Sequence, residues 1–247
     1  MTQLGMTALA VAALLSASDA QLTVWSAGAV EPGVLKVIEH FRRETGHQVA
    51  IEFATGPELA KKLSSGDVAD VVIAPASVIE QAAQAGRLLD GTQAAVGRVG
   101  VGITVRRGAG SPDVASVASL KEALLRADSV VYNTASTGLY LEKLFARMGI
   151  ADRLTGKTTR YGNGAQVLEH VIAGRGNELG FGAVTEIRMY ESKGLTLVGP
   201  LPREVQNYTT YVAAVTSDAQ FRAAGQDFVR FLCSSTARQA FATVGIQ

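Results

Sequence analysis

The stretch LTVWSAGAVEPGVLKVIEHFRRETGHQVAIEF, residues 22–53, decides the fold. Leu22-Thr23-Val24-Trp25 is a short apolar run with strand composition, and Val49 to Phe53 is another. Between them, Pro32 to Thr45 sets Val34, Leu35, Ile38 and Phe41 on one helical face, with Gly46 as the stop. Strand, helix and strand in so short a span form a βαβ unit, which implies parallel strands joined by a right-handed crossover.

Working outward, the alternation continues. Glu58 to Ser64 reads as a helix, Val71-Val72-Ile73-Ala74 as a buried strand and Ser77 to Ala85 as a helix ending at Gly86. A long strand is expected from Arg98 to Arg106. The second half repeats the style, with helices at 120–127, 139–148 and 167–173 and strands at 130–132, 179–183 and 195–198. Tyr208 to Val215 reads as a strand, followed by helices at 220–232 and 236–242. The expected fold class is α/β, two-lobed, each lobe a mainly parallel sheet flanked by helices, with a ligand cleft between them. No low-complexity linker separates the halves. Residues 21–98 with 209–247 are expected to form one lobe and 99–208 the other, joined by crossing runs near Val99–Thr104 and Tyr208–Ala213.

Composition removes several classes of function. Among 247 residues, 23 are Lys or Arg and 22 are Asp or Glu, for a formal charge of +1, so there is no basic footprint for nucleic acid. The single cysteine, Cys233, precludes an intramolecular disulfide, and His40, His47 and His170 fall in no metal-ligand spacing. No metal site and no cofactor are expected. Upstream, Leu4 to Leu15 is almost wholly apolar and Ser18-Asp19-Ala20 resembles a cleavage site, so residues 1–20 read as a signal peptide with a charge-poor start. The expected location is periplasmic.

In parallel α/β sheets, ligands bind beyond the carboxyl ends of the strands. Four such places here hold small polar residues and glycine: Ser26-Ala27-Gly28-Ala29, Thr55-Gly56-Pro57, Asn133 to Gly138, and Tyr161-Gly162-Asn163-Gly164. A helix start offers unpaired N–H donors and the positive end of a dipole, and glycine lets backbone approach a ligand. Any one Ser or Thr there has the simpler role of an N-cap. Four together describe a cleft of neutral donors suited to an anion. The candidate binding residues are Ser26, Gly28, Ala29, Thr55, Gly56, Ser136, Thr137, Gly138 and Asn163.

From Leu22 onward the chain resembles the periplasmic molybdate-binding proteins, which have the type II periplasmic solute-binding fold. The resemblance rests on WSAGA (25–29), FATGPELAK (53–61), ADVVIA (69–74), STGLY (136–140), Gln166-Val167 and LGFG (179–182). It implies oxyanion contacts at Ser26, Thr55 with Gly56, Thr137 and the backbone at Val167. It also implies delivery of a small anion to an ABC-transporter permease by a monomeric protein. The family's remaining contact, a tyrosine hydroxyl, aligns with Ala183, which has none. Arg160, just before Tyr161, is instead expected to make a bidentate contact to a carboxylate, and Asn207 to reach the cleft. These departures favour a polycarboxylate over molybdate.

The chain is also similar to a branch of the fold that looks like aconitate isomerase. That reaction needs a base beside the substrate, and the candidates are Glu31, Tyr140 and Tyr161, with His170 expected on a helix flank. A third reading, a cytoplasmic anion sensor or scavenger, follows if residues 1–20 are retained. Gly97, Gly100 and Gly102 lie within a strand pattern and make no dinucleotide fingerprint. Cys233 and Trp25 read as packing residues.

Overall fold

The computed structural model describes residues 21–247, so the expected signal peptide at 1–20 lies outside the described residues. The first half runs β1 (Gln21–Ala27), α1 (Glu31–Thr45), β2 (Gln48–Ala54), α2 (Gly56–Ser65), β3 (Val71–Pro75) and α3 (Ala76–Gln84). The long β4 (Ala94–Arg106) leads into α4 (Val117–Arg126), β5 (Ser129–Asn133), α5 (Ser136–Arg147), α6 (Ala151–Thr155), β6 (Thr158–Tyr161) and α7 (Gly164–Ala173). Then come β7 (Glu178–Ala183), α8 (Val184–Tyr190), β8 (Leu195–Pro200), β9 (Tyr208–Val215), α9 (Arg222–Leu232) and α10 (Ser235–Val244).

The local chemistry of α1 follows the sequence pattern except at Leu35, which is exposed where the pattern puts it on the buried face, Val37 taking its place. Pro32 sits in its first turn, Val34, Val37, Ile38 and Phe41 are buried, and Gly46 closes it in the left-handed conformation at φ 80°. Strand β1 lies parallel to both β2 and β3, as the opening stretch implies. All five residues of β3 are buried, which its unbroken apolar run requires of a strand covered on both faces.

The strand order is β2-β1-β3-β9-β4-β7-β5-β6, with β8 added on β4. Strand β4 is the common member. Residues 94–100 pair antiparallel with β9, while 101–106 pair antiparallel with β7 and β8. The chain therefore forms two lobes threaded by one strand. It begins at Ala94, earlier than the sequence pattern suggests, because Ala94, Ala95 and Gly97 pair with β9 despite their low strand propensity. Strand β9 pairs with β3 and the first part of β4. The return between lobes is made just before it, where Val101 donates to Asn207 O at 3.2 Å. There the Gln206 side chain also pairs with both backbone groups of Val101, at 3.0 Å each.

Three elements lie outside the sequence expectations. Helix α6 is a single short turn, and β6 is an edge strand, TTRY, with no fully buried residue. Helix α8 follows β7 without a connecting loop, so the LGFGA strand hides its start.

One apolar core gathers β1, β3, β9, α1, α9 and α10 around Phe41 and Phe228, whose rings meet edge-on at 5.0 Å. Another packs α4 and α5 on β5 and β7. Trp25 is buried with Lys62 over its ring, a packing residue as expected, whereas Cys233, expected to be buried, is partly exposed just after α9, where its thiol donates to Ala95 O at 3.5 Å. No helix among the described residues is long and apolar enough to cross a membrane.

Asp70 pins the first lobe. Its two oxygens accept from Thr23 N and Phe221 N, each at 2.8 Å, and its own backbone pairs with Thr23 O and Thr216 N. This one carboxylate ties β1, β3 and the entry to α9 together. Asp70→Ala strands both N–H groups and is expected to cost about 3 kcal/mol. At this chain length that lowers the thermal midpoint by roughly 6–12 °C, readable by calorimetry.

Candidate functional site

A cavity of about 340 Å³ lies between the lobes. Ala27, Thr55, Pro75, Ala135, Asn163 and Ala183 all line it. Each of these is the residue preceding a helix: the 3-10 turn at Gly28–Val30 that leads into α1, then α2, α3, α5, α7 and α8. The geometry follows from strand direction, since each strand delivers its successor helix to the same edge of the sheet. First-turn N–H groups have no partner inside their own helix, and each helix start carries roughly half a positive charge. Ala27, Pro75, Ala135 and Ala183 have no side chain able to cap, so the first-turn N–H groups after them are not capped by the preceding residue. Among the described residues that line it, none is Lys, Arg or His.

Several side chains tune this ring of donors. Asn133 Oδ1 accepts from Ala135 N at 3.0 Å and Gly138 N at 3.3 Å, which fixes the turn into α5 and leaves Ser136 and Thr137 on the cavity wall. In the next turn Asn163 Oδ1 takes Gln166 N at 3.0 Å, leaving Gly164 and Ala165 facing inward. Glu58 accepts from both the backbone and the hydroxyl of Thr55, at 2.7 Å each. Those bonds hold the Glu58 carboxyl below its usual range.

The least expected group is Glu186, in the first turn of α8. It is partly accessible and lines the cavity. A Cβ added at Gly164 would stand 2.5 Å from its Oε2, and one added at Gly28 would stand 3.1 Å from its Oε1. The carboxyl is thus wedged between glycine turns from the two lobes. Burial and the nearby charge of Glu31 push its pKa up to about 7, against a hydrogen bond from Ala183 N–H that pulls it down. Glu31, at the start of α1, is itself pushed up by burial, which Lys193 opposes. Tyr211 joins the wall from β9, its phenol pushed far up by burial. Across the same edge, the Thr185 hydroxyl donates to Ala29 O at 2.5 Å, tying α8 to the other lobe.

The cavity brings together Gly28, Ala29, Thr55, Gly56, Ser136, Thr137, Asn163 and Glu31 from the sequence candidates. Others lie elsewhere. Arg160 is half exposed on β6 and ion-paired with Glu142 of α5, so it is not available to a ligand in this cavity. Ser26 is fully buried and its hydroxyl donates to Ala27 O. Gly138 packs so closely that a Cβ there would stand 1.6 Å from Asn133 O, which makes it a packing glycine. The Val167 side chain is sealed in an apolar cluster with Val131 and Val171, and Val167, whose backbone is the expected contact, is not among the residues lining the cavity. Asn207 spends its carbonyl on Val101 and its N–H on Gln206 Oε1. Tyr140 donates to Val205 O at 2.6 Å, and the Tyr161 hydroxyl meets His170 Nδ1 at 2.8 Å, so neither phenol is a base for this cavity.

No sequence expectation includes Glu186 or Tyr211. The available signal was an acid three residues after the LGFGA strand, with Val184 and Ile187 spaced for a helix. Among the described residues no group of three or more His, Cys, Asp or Glu is placed to hold a metal ion.

Two α/β lobes, one shared strand and a junction lined by helix starts define a two-lobed solute-binding architecture. Residues 22–247 match the family model described as bacterial extracellular solute-binding protein, and the chain belongs to that family. A curated aconitate isomerase from Pseudomonas sp is 27% identical, over 99% of this chain and 94% of that protein. Among solved structures, the periplasmic molybdate-binding protein of Azotobacter vinelandii superposes with a TM-score of 0.77 at 16% identity, covering 92% of this chain and 99% of the other. The sulfate-binding protein SubI of Mycobacterium tuberculosis gives 0.73 at 18% identity, covering 92% and 86%. Likeness at these identities is likeness of fold, and it establishes the two-lobed α/β class.

The Glu186 environment makes stability depend on pH. Its folded pKa lies above the ordinary 4.5, so the folded state retains a proton that the unfolded chain releases. Its contribution therefore falls as pH rises from 4.5 to about 7 and is level outside that window. Glu186→Gln removes the effect. By urea denaturation the variant should gain up to about 3 kcal/mol over the parent at pH 8, the gap closing toward pH 4.5.

Proposed function

We propose that the protein captures a small organic polycarboxylate in the interlobe cavity. The observation that carries this reading is the convergence of six helix starts, four of them preceded by residues that cannot cap, on one cavity. Such a wall binds negative charge through N–H groups and hydroxyls without a basic side chain. Ser136, Thr137, Gly164 and Ala165 would supply donors from one lobe, Gly28, Ala29 and Gly56 from the other. Ala183 in place of a hydroxyl, with two carboxyl groups nearby, suits a ligand larger and more flexible than a tetrahedral oxyanion. Residues 21–98 with 209–247 and residues 99–208 would move as lobes about β4 and close over the ligand. In this reading residues 1–20 are removed on export, the mature protein works in the periplasm, and an ABC-type permease receives the ligand.

A second reading, isomerisation of aconitate, is favoured by Glu186 together with the 27% identical relative that carries that name. A carboxyl that titrates near neutrality suits both giving and taking a proton. Ionised Glu186 would take a proton from the methylene carbon, leaving an allylic carbanion delocalised into its carboxylates. The same proton would return to the far allylic carbon, shifting the double bond. The surrounding helix starts would stabilise the added charge.

A thermal-shift panel separates ligands. A compound at a thousand times its Kd stabilises by about 4 kcal/mol, roughly 8–16 °C for this chain. Citrate and the aconitates are expected to respond; a response to molybdate and tungstate alone overturns the polycarboxylate reading. Thr137→Ala should weaken binding about tenfold or more, whereas Arg160→Ala should leave affinity unchanged. Incubation with cis-aconitate tests the second reading: conversion to the trans isomer, lost more than a hundredfold in Glu186→Gln, supports it, and no conversion by the parent leaves capture alone.

A further inference from the structure

We propose that Glu186 serves the bound anion as a protonated hydrogen-bond donor, so that above neutral pH each capture event takes up one proton. The inference rests on the anion-capture reading above and concerns how that cavity sets its charge.

The geometry places a carboxyl where a ligand oxygen must come. Gly28 and Gly164 are two of the turns, one from each lobe, that would meet the ligand, and the Glu186 oxygens sit against both. An ionised carboxylate there would be an acceptor facing an acceptor. A protonated one donates, and it removes a like-charge repulsion in a confined space where such repulsion is strong.

Among the described residues, none around it supplies a compensating cation. From α1 the facing group is Glu31, which is negative; from β9 it is Tyr211, and on its own helix Tyr190, both phenols pushed up and therefore neutral. Lys193, after α8, acts on Glu31. Arg188 of α8 points instead toward Gly245. From α7, Glu169 bears on Tyr190 and His170 is paired with Tyr161, and from β7 Glu178 accepts the N–H groups of Arg175 and Gly176. On β4, Arg98 stacks on the Tyr208 ring at 4.6 Å, and Arg106 lies at the far end beside Leu195. Strand β8 carries no ionisable residue. Bringing an anion into this setting raises the proton affinity of Glu186 further, and by linkage a raised proton affinity on binding is proton uptake. The free carboxyl already titrates near neutrality, so the coupling falls in an accessible pH range.

The test is calorimetric titration of the full chain with trans-aconitate between pH 5.5 and 9. Affinity is expected to be level up to about pH 7 and then to fall toward tenfold per pH unit. At pH 8, buffers of different ionisation enthalpy should report close to one proton taken up per ligand. Glu186→Gln, a permanent donor of the same shape, should bind with no such slope between pH 7 and 9. Glu31→Gln removes a neighbouring negative charge, so its fall should begin at lower pH. A level parent profile, no proton uptake at pH 8, or an unchanged slope in Glu186→Gln overturns the inference while leaving capture intact. If neither trans-aconitate nor citrate binds at pH 5.5, the polycarboxylate reading fails and this inference fails with it.

Discussion

The cavity exists because parallel strands have a direction. Once β1, β2 and β3 run the same way, the helices that follow them must all begin at the same edge of the sheet. The second lobe obeys the same rule through β5, β6 and β7. Facing the two edges across β4 therefore brings positive dipole ends together, and the groups of opposite sign on the cavity wall are the carboxyls of Glu31, Glu58 and Glu186. That electrostatic arrangement is a cost of the fold in the absence of an anion, and much of the surrounding chemistry can be understood as partial relief of it. Asn133, Asn163 and Glu58 each satisfy part of one turn from within.

Glu186 belongs to the same logic. A carboxyl at the start of α8 would be stabilised by that helix alone, and Ala183 N–H does hold it down. Desolvation and Glu31 outweigh the helix, so the group is poised between charged and neutral forms. An acidic side chain in an anion site is otherwise hard to rationalise. Poised in this way, it can answer a negative ligand without adding fixed negative charge.

Much of this was legible in the sequence. The βαβ opening, the buried VVIA strand and the small polar turns after β1, β2 and β5 follow from periodicity and helix-start chemistry. What was not legible depended on side-chain direction. Arg160 and Tyr161 are neighbours on β6, where successive residues face opposite sides, and Glu142 and His170, from the adjacent helices, take them both. Gly138 looks like a ligand-facing glycine in STGLY, yet its lack of a side chain serves the contact with Asn133 O. Glu186 was hidden because β7 passes into α8 with no turn residues to announce a helix. Tyr211 was hidden because one aromatic in an apolar strand reads as core, which by burial it is.

Strand β4 carries a mechanical consequence. It is hydrogen-bonded to both lobes, with register shifts between Ala95 and Gly97 against β9 and between Ile103 and Thr104 against β8, and Gln206 clamps Val101 where the partners change. Sliding one lobe past the other would break ladders on both sides at once, whereas bending at that point would break few bonds. In the proposed closure, the lobes would change angle more readily than offset. Ligands of different length would be accommodated by how far the jaws swing, with the same pairs of turns meeting each time.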